Sequence, residues 1–104
     1  MAAVARANGS DSVLSPDGTG RKCAYPININ TGPAGQSKVF VEGIPACVEG
    51  DMIMPHPRRG CELDEQTISQ FSSKVFAAGR GIARIGDMYG DNIITSGSFK
   101  VFAA

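Results

Sequence analysis

Residues 37–51 read SKVFVEGIPACVEGD and residues 73–87 read SKVFAAGRGIARIGD, so one pattern occurs twice without a gap. A third copy starts as KVFAA at residues 100–104 and stops in mid-unit. A repeat of this kind is first of all a fold signature. Because so short a unit cannot bury its own apolar face, several units must share one core, around an axis or in a stack.

Each unit is predicted to be a β-hairpin followed by a loop. Valine, isoleucine and phenylalanine occur in short runs between glycines, and helix-period patterns are almost absent. Gly43 and Gly79 hold the same place in their units, where a tight turn needs a positive φ angle. Residues 62–71 fit either a short helical turn or an irregular strand.

The two ends of the chain complement each other. Residues 98–104 supply the outgoing strand of a hairpin without a return, and residues 5–11 read ARANGSD, an echo of ARIGD at residues 83–87. We therefore expect the start of the chain to complete the third unit, which would close a ring and remove two open sheet edges. The alternative is that residues 6–11 are a polar tail. The sequence predicts a single domain over residues 1–104, with units at 37–51, 73–87, and 98–104 completed by 5–11.

The repeated Val-Phe pairs, together with two residues of the returning strands, are the predicted shared core. Neighbouring residues of a strand face opposite sides, so one member of each pair points to the axis and the other outward. The sequence leaves open which one. The predicted core residues are Val39, Phe40, Val75, Phe76, Val101, Phe102, Val48 and Ile85.

Composition excludes several classes of function. The formal net charge is zero, whereas a general nucleic-acid binder needs a basic face. No apolar run is long enough to span a bilayer, and residues 1–6 lack the apolar stretch of a signal peptide. We therefore expect synthesis in a cytoplasm and no nucleic-acid partner.

The polar residues do not assemble a catalytic set. Asp11, Asp51 and Asp87 form either a carboxylate cluster or three turn caps, and their matching places in the units favour caps. Ser37 and Ser73 have no histidine within their units. We expect no enzyme activity, no catalytic residues and no small-molecule substrate.

The three cysteines, Cys23, Cys47 and Cys61, are an odd number in a chain without a secretion signal, which disfavours a disulfide framework. They are either packed thiols or, in part, metal ligands. Because Cys47 lies within a hairpin strand, we assign it to packing.

The repeated frame resembles the PAAR-repeat family, which is named for a proline-alanine-alanine-arginine stretch after each turn. The corresponding residues here are PACV at 45–48 and GIAR at 81–84, and the flanking glycines and aspartates fit better. The resemblance covers nearly the whole chain from Arg6. GSD at residues 9–11, CAYP at 23–26 and the repeated SKVF are most similar to the small tail-spike tip proteins of contractile-tailed bacteriophages.

This resemblance implies an all-β fold: a small cone of three pseudo-threefold hairpin repeats with little or no helix. It implies a structural protein at the tip of a phage tail spike, part of the baseplate of the virion and assembled in the host cytoplasm. The implied partner is a trimeric β-helical spike, capped by one copy per trimer, with transient contact to the bacterial outer membrane during piercing. The alternative is the spike tip or adaptor of a type VI secretion system. The docking residues are not predicted.

The resemblance also implies one structural metal ion near the apex, with histidine and cysteine ligands. The candidates are Cys23, His56 and Cys61, which all fall in loops outside the hairpins. Thiolate and imidazole ligands suit zinc or iron. A fourth ligand is uncertain, with Asp91 the candidate because the third loop should reach the apex there. A metal hydrolase built on His56 and Cys61 is disfavoured, since a small cone has little room for a substrate pocket.

Overall fold

The computed structural model describes residues 1–15, 28–56, 63 and 65–104. All regular structure among these residues is β-strand, which confirms the all-β prediction. The strands are β1 (Ala2–Ala3), β2 (Ser12–Leu14), β3 (Asn28–Asn30), β4 (Phe40–Val41), β5 (Ile44–Pro45), β6 (Phe76–Ala77), β7 (Arg80–Gly81), β8 (Met88–Tyr89), β9 (Asn92–Ile94) and β10 (Phe102–Ala103). Within this described part of the chain, no helix is long and apolar enough to cross a bilayer.

Two of the repeats fold as tight antiparallel hairpins, β4–β5 and β6–β7. Their two-residue turns have positive φ at both positions: 54° and 82° at Glu42 and Gly43, and 52° and 78° at Ala78 and Gly79. Two successive positive φ angles define the turn whose twist matches that of paired strands. The glycine positions predicted for the turns are therefore confirmed.

The third hairpin is formed by the two ends of the chain. β1 pairs antiparallel with β10, with Ala2 opposite Ala103 and Ala3 opposite Phe102. This is the register of the other hairpins, where Pro45 lies opposite Phe40 and Gly81 opposite Phe76. The returning strand thus begins at Ala2, three residues before the segment 5–11 that the sequence indicated.

The segments that follow the three return strands are joined into a closed ring by backbone hydrogen bonds. The Ala5 N–H donates to the Ala83 carbonyl, that of Ala83 to Cys47, and that of Cys47 to Ala5, at 3.0, 2.9 and 3.0 Å. Antiparallel bridges flank these bonds on each side of the ring: Val4–Arg84, Arg6–Ala46 and Val48–Ile82. We call residues 4–6, 46–48 and 82–84 the central ring. Each segment is paired on both sides, so none presents an open edge there.

The central ring separates two small cores, because alternate residues of its segments face opposite sides. On one side lies the hairpin core, formed by Val4, Val41, Ala46, Val48, Ala77, Ile82 and Ala103, with Val39 and Val75 packed against it. On the other side lies the loop core, formed by Ala5, Ala7, Val13, Ile29, Cys47, Ile53, Ile68, Ala83, Tyr89 and Ile94. We call the two sides the hairpin end and the loop end.

The loop end is built on a four-stranded antiparallel sheet with strand order β3-β2-β9-β8. In the segment 62–71, two single bridges, Met52–Thr67 and Ile68–Tyr89, tie the chain to this end. An irregular strand, one of the two alternatives for this segment, fits that pairing. The repeats therefore supply the hairpin end, while non-repeated loops supply most of the loop end.

The predicted core is correct for the valines of the first two units and wrong for the phenylalanines. Phe40, Phe76 and Phe102 are 53%, 55% and 50% exposed, whereas Val48 is fully buried. Ile85 is also exposed, whereas its counterpart Ala7 is buried in the loop core. Val39 and Val75 pack on the hairpin core, but their counterpart Val101 remains partly exposed.

Candidate docking surface and metal centre

Three phenylalanines occupy equivalent positions on the outer faces of the three hairpins. Phe40, Phe76 and Phe102 each lie opposite the second residue of a return strand. Their neighbours Val41, Ala77 and Ala103 point inward and are buried. We call Phe40, Phe76 and Phe102 the phenylalanine ring. One chain thus presents the same apolar group three times around its axis.

A lysine stands just before each of the three strands. Lys38, Lys74 and Lys100 each precede a ring phenylalanine by two residues and are exposed. Aromatic residues are enriched at protein interfaces and charged residues lie at their polar rims, so the phenylalanine ring is the candidate docking surface.

A buried polar side chain braces each strand that carries a ring phenylalanine. Ser72 Oγ accepts the N–H groups of Lys74 and Val75, and Ser98 Oγ accepts those of Lys100 and Val101, at 2.9–3.0 Å. In the first unit Gln36 Oε1 accepts the corresponding pair from Lys38 and Val39. The three outgoing strands are therefore held in the same way, although the bracing residue differs.

An aspartate caps the end of each ring segment, which confirms the turn-cap assignment. The Oδ2 atoms of Asp11, Asp51 and Asp87 accept the backbone N–H of Arg6, Val48 and Arg84 at 2.7, 3.1 and 2.8 Å. In two units the arginine side chain also forms a two-pronged ion pair with the same carboxylate. These bonds lock the end of the ring segment to the loop that follows.

The first unit lacks this ion pair because Val48 stands where the other units have arginine. Asp51 is buried, and burial raises its pKa, an effect opposed by the Val48 N–H and the charge of Arg80. Arg80 comes from the second hairpin and donates to the carbonyls of Glu49 and Gly35. The positive charge that acts on Asp51 therefore comes from Arg80 of the second unit and not from the first unit itself.

Cys47 is a packed thiol, as the sequence predicted. It is fully buried in the loop core, and its Sγ lies 3.8 Å from the Tyr89 hydroxyl. Burial raises the pKa of Cys47 to about 12 and also raises the pKa of Tyr89. A buried thiol with a raised pKa is unreactive, in line with a packing role.

The proposed metal ligands are only partly within the described residues. Cys23 and Cys61 lie outside them, and no group of three or more histidine, cysteine, aspartate or glutamate side chains occurs among the residues that are described. Asp91 is exposed, and its Oδ1 accepts hydrogen bonds from Gln66 and Asn92 at 2.7 and 3.2 Å.

His56 is the histidine candidate for the metal site, and it lies within the described residues. It is buried, and its Nδ1 lies 2.9 Å from the Met54 carbonyl oxygen. Since a carbonyl oxygen only accepts, Nδ1 carries a proton and donates it to Met54. A metal-bound histidine usually donates its other N–H to a carbonyl or carboxylate in this way. This residue therefore fits a metal site at the loop end.

Sequence reasoning did not give the outward direction of the phenylalanines. Val and Phe are both apolar, so their alternation alone does not give the direction of either. A signal was nevertheless present in the next residue. Small or β-branched residues (Val41, Ala77 and Ala103) follow the phenylalanines, and residues of that size suit the narrow hairpin core.

Comparison with known proteins gives one family. The sequence profile described as PAAR motif matches residues 28–102, which include the first two units and end within the outgoing strand of the third. None of the curated proteins matches the chain.

Proposed function

The chain belongs to the PAAR-motif family, whose members are structural spike-tip proteins, and on that premise we propose that it caps the central spike of a contractile bacteriophage tail. In this role the chain does mechanical work and no chemistry. A narrow tip at the end of the spike concentrates the force of sheath contraction on the bacterial outer membrane. The protein would then be found in the baseplate of the virion after assembly in the host cytoplasm.

The observation that carries this proposal is the phenylalanine ring. A trimeric β-helical spike ends in three identical chains, and a partner with one repeated surface can contact all three alike. Phe40, Phe76 and Phe102 offer equal apolar contacts from equivalent positions. Buried aromatic residues near the centre of an interface supply most of its binding energy. One copy per trimer follows, because a single chain already contains three contact sites.

The phage context is favoured by the short segments at residues 9–11 and 23–26 and by the repeated SKVF. The alternative is a type VI secretion spike tip or adaptor, which would use the same hairpin end. Neighbouring genes separate the two: tail and baseplate genes support the phage assignment, and secretion genes contradict it.

The metal site belongs to the same proposal. Cys23, His56 and Cys61 would hold one zinc or iron ion at the loop end, with Asp91 the candidate fourth ligand. The ion would cross-link loops that share only a small core, and its binding energy would become folding energy. His56 supports this assignment through its burial and its Nδ1 hydrogen bond to Met54.

The docking proposal is tested by mixing the protein with the trimeric β-helical spike of the same machine. Native mass spectrometry should find one copy per trimer. Replacing the phenylalanine ring by serine (Phe40→Ser, Phe76→Ser, Phe102→Ser) should weaken binding by about a hundredfold or more. Leu14→Ser is the matched control, because Leu14 is an exposed apolar residue of β2 at the other end. No complex, three copies per trimer, or equal losses in both variants would contradict the proposal.

A further inference from the structure

An apolar cleft opens beside the phenylalanine ring, at the joint between the second and third units. It has a volume of 260 Å³, and its lining includes Ile85, Phe99 and Phe102. An engineered apolar cavity of about 150 Å³ holds a benzene molecule, so this cleft has room for one large apolar side chain. Phe99 is 92% exposed and Ile85 41% exposed, so both face solvent around it.

The floor of the cleft is formed by backbone that is already fixed. Gly97 lies against the carbonyls of Ala3 and Val4 so closely that a side chain at this position would clash. The Ser98 N–H donates to the Val4 carbonyl at 2.9 Å, and the Val4 N–H donates to Val101 at 3.0 Å. A ligand would therefore bind a preformed surface, and the entropy cost of ordering that surface would be small.

The second unit closes the equivalent place. There Phe71 stands at the position of Gly97 and packs against Gly81. Glu49 stands at the position of Ile85, and its carboxylate accepts the Gly81 N–H at 3.1 Å. The space that is open and apolar in the third unit is thus filled by an aromatic ring and bordered by charge in the second.

The first unit also lacks counterparts of Ile85 and Phe99, the two exposed apolar residues that line the cleft. Ala7 stands at the position of Ile85, and Ser37 at that of Phe99. Ser73 holds the position of Phe99 in the second unit. The three units therefore agree at the phenylalanine ring and differ beside it.

We propose that this cleft is a socket for one apolar side chain from a single chain of the trimeric spike. This inference rests on the proposed function, because it assumes that the phenylalanine ring docks the spike. A threefold partner that reaches Phe40 and Phe76 also reaches Phe102, and Phe102 lines both the ring and the cleft. One spike chain then inserts a side chain beside Phe99, while its two copies meet the exposed counterparts Ser73 or Ser37. The docked tip makes the three spike chains inequivalent and holds the tip against rotation on its axis.

The test uses the full chain bound to its spike, with a photoreactive benzophenone amino acid at position 99, 73 or 37. Phe99 and its two serine counterparts are exposed and equivalent, so each substitution is the control for the others. Position 99 should give at least about tenfold more cross-link to the spike than position 73 or 37, as expected for one anchored pocket. Equal cross-linking at the three positions would overturn the socket.

Two variants copied from the other units test the same point by affinity. Phe99→Ser and Ile85→Glu introduce residues that units of this fold already carry at those positions, so folding should persist. Each should raise the dissociation rate of the spike complex about tenfold or more. If both variants still bind as one copy per spike trimer and the dissociation rate is unchanged, the socket is overturned but the proposed function is not. If the unaltered chain forms no complex at all, the proposed function falls and the socket with it.

Discussion

The hairpin end and the loop end of this molecule follow different rules. At the hairpin end the three units agree in strand register, in the hydrogen bonds from a buried polar side chain that brace each outgoing strand, and in the outward phenylalanine. At the loop end the chain uses each segment once, in a sheet whose strand order, β3-β2-β9-β8, has no threefold relation. The central ring is the boundary, since one of its faces belongs to each core.

The proposed function gives a reason for this difference. A surface that docks three identical spike chains would have to repeat, and the repeat would restrict its sequence. The loop end would be under no such constraint, so its residues would be free to specialise. His56 is such a residue, because no other unit contains a histidine.

Metal removal should have the largest effect, and it should act on the loop end. A structural zinc ion contributes on the order of 10 kcal/mol or more to small domains, so chelation with EDTA should lower Tm by at least about 10 °C. Metal analysis should find close to one ion per chain. His56→Ala should show the lowered Tm without chelator and little further change with it. An unchanged Tm in metal-free protein after chelation would contradict a structural metal ion at the loop end.

Aspartate replacement should distinguish the units of the central ring. Asp87→Asn breaks the ion pair to Arg84, whose side-chain bonds to the carboxylate are 2.8 and 3.0 Å, and should cost about 1–3 kcal/mol in the free energy of unfolding. Asp51→Asn should cost less, because Asp51 has no arginine within its own unit. Denaturant unfolding at pH 7 measures both. Equal losses would show that Arg80 of the second unit stabilises the Asp51 carboxylate as much as Arg84 stabilises that of Asp87.

The pH dependence of Asp51→Asn gives a second check. Because burial raises the pKa of Asp51 in the folded protein, its protonated form favours folding. That contribution is complete below the unfolded pKa and is lost as pH rises through the folded value. The native chain should therefore gain stability relative to Asp51→Asn as pH falls from 7 toward 4. The opposite trend would mean that the charged form is the one stabilised.

The sequence predicts the two sides of the central ring to different extents. The hairpins and their glycine turns could be predicted, because a repeat shows the same local physics twice. The start of β1 could not, since Ala2 and Ala3 carry no strand signal of their own and pair only because β10 lies beside them. The direction of the phenylalanines was missed, because the small or β-branched residues after them indicate it only to a reader who expects a narrow hairpin core. The partners of His56 depend on loops without internal repetition, where spacing gives no geometry.

Cys47→Ala should have a smaller effect, and it tests the symmetry of the central ring itself. The other two units already have alanine there, at Ala5 and Ala83, and all three residues are fully buried. The variant would restore threefold identity but lose the contact of Sγ with Tyr89, so the expected cost is about 1 kcal/mol. A loss above about 3 kcal/mol would show that the loop end depends on this thiol far more than its packing indicates.

Ala78→Gly should have the smallest effect and the opposite sign, and it is confined to the hairpin end. Ala78 has a φ angle of 52°, which costs an L-residue about 1–2 kcal/mol in strain. Glycine removes that strain but adds about 0.5–1 kcal/mol of chain entropy in the unfolded state, so the net gain should be about 0.5–1 kcal/mol. Glu42 has the same conformation but also contacts Ser98 and Arg6, so Glu42→Gly should lose stability instead. Denaturant midpoints of the two variants should therefore move in opposite directions. A gain in both variants would mean that turn strain outweighs the contacts of Glu42, and a loss in both would contradict the strain at Ala78.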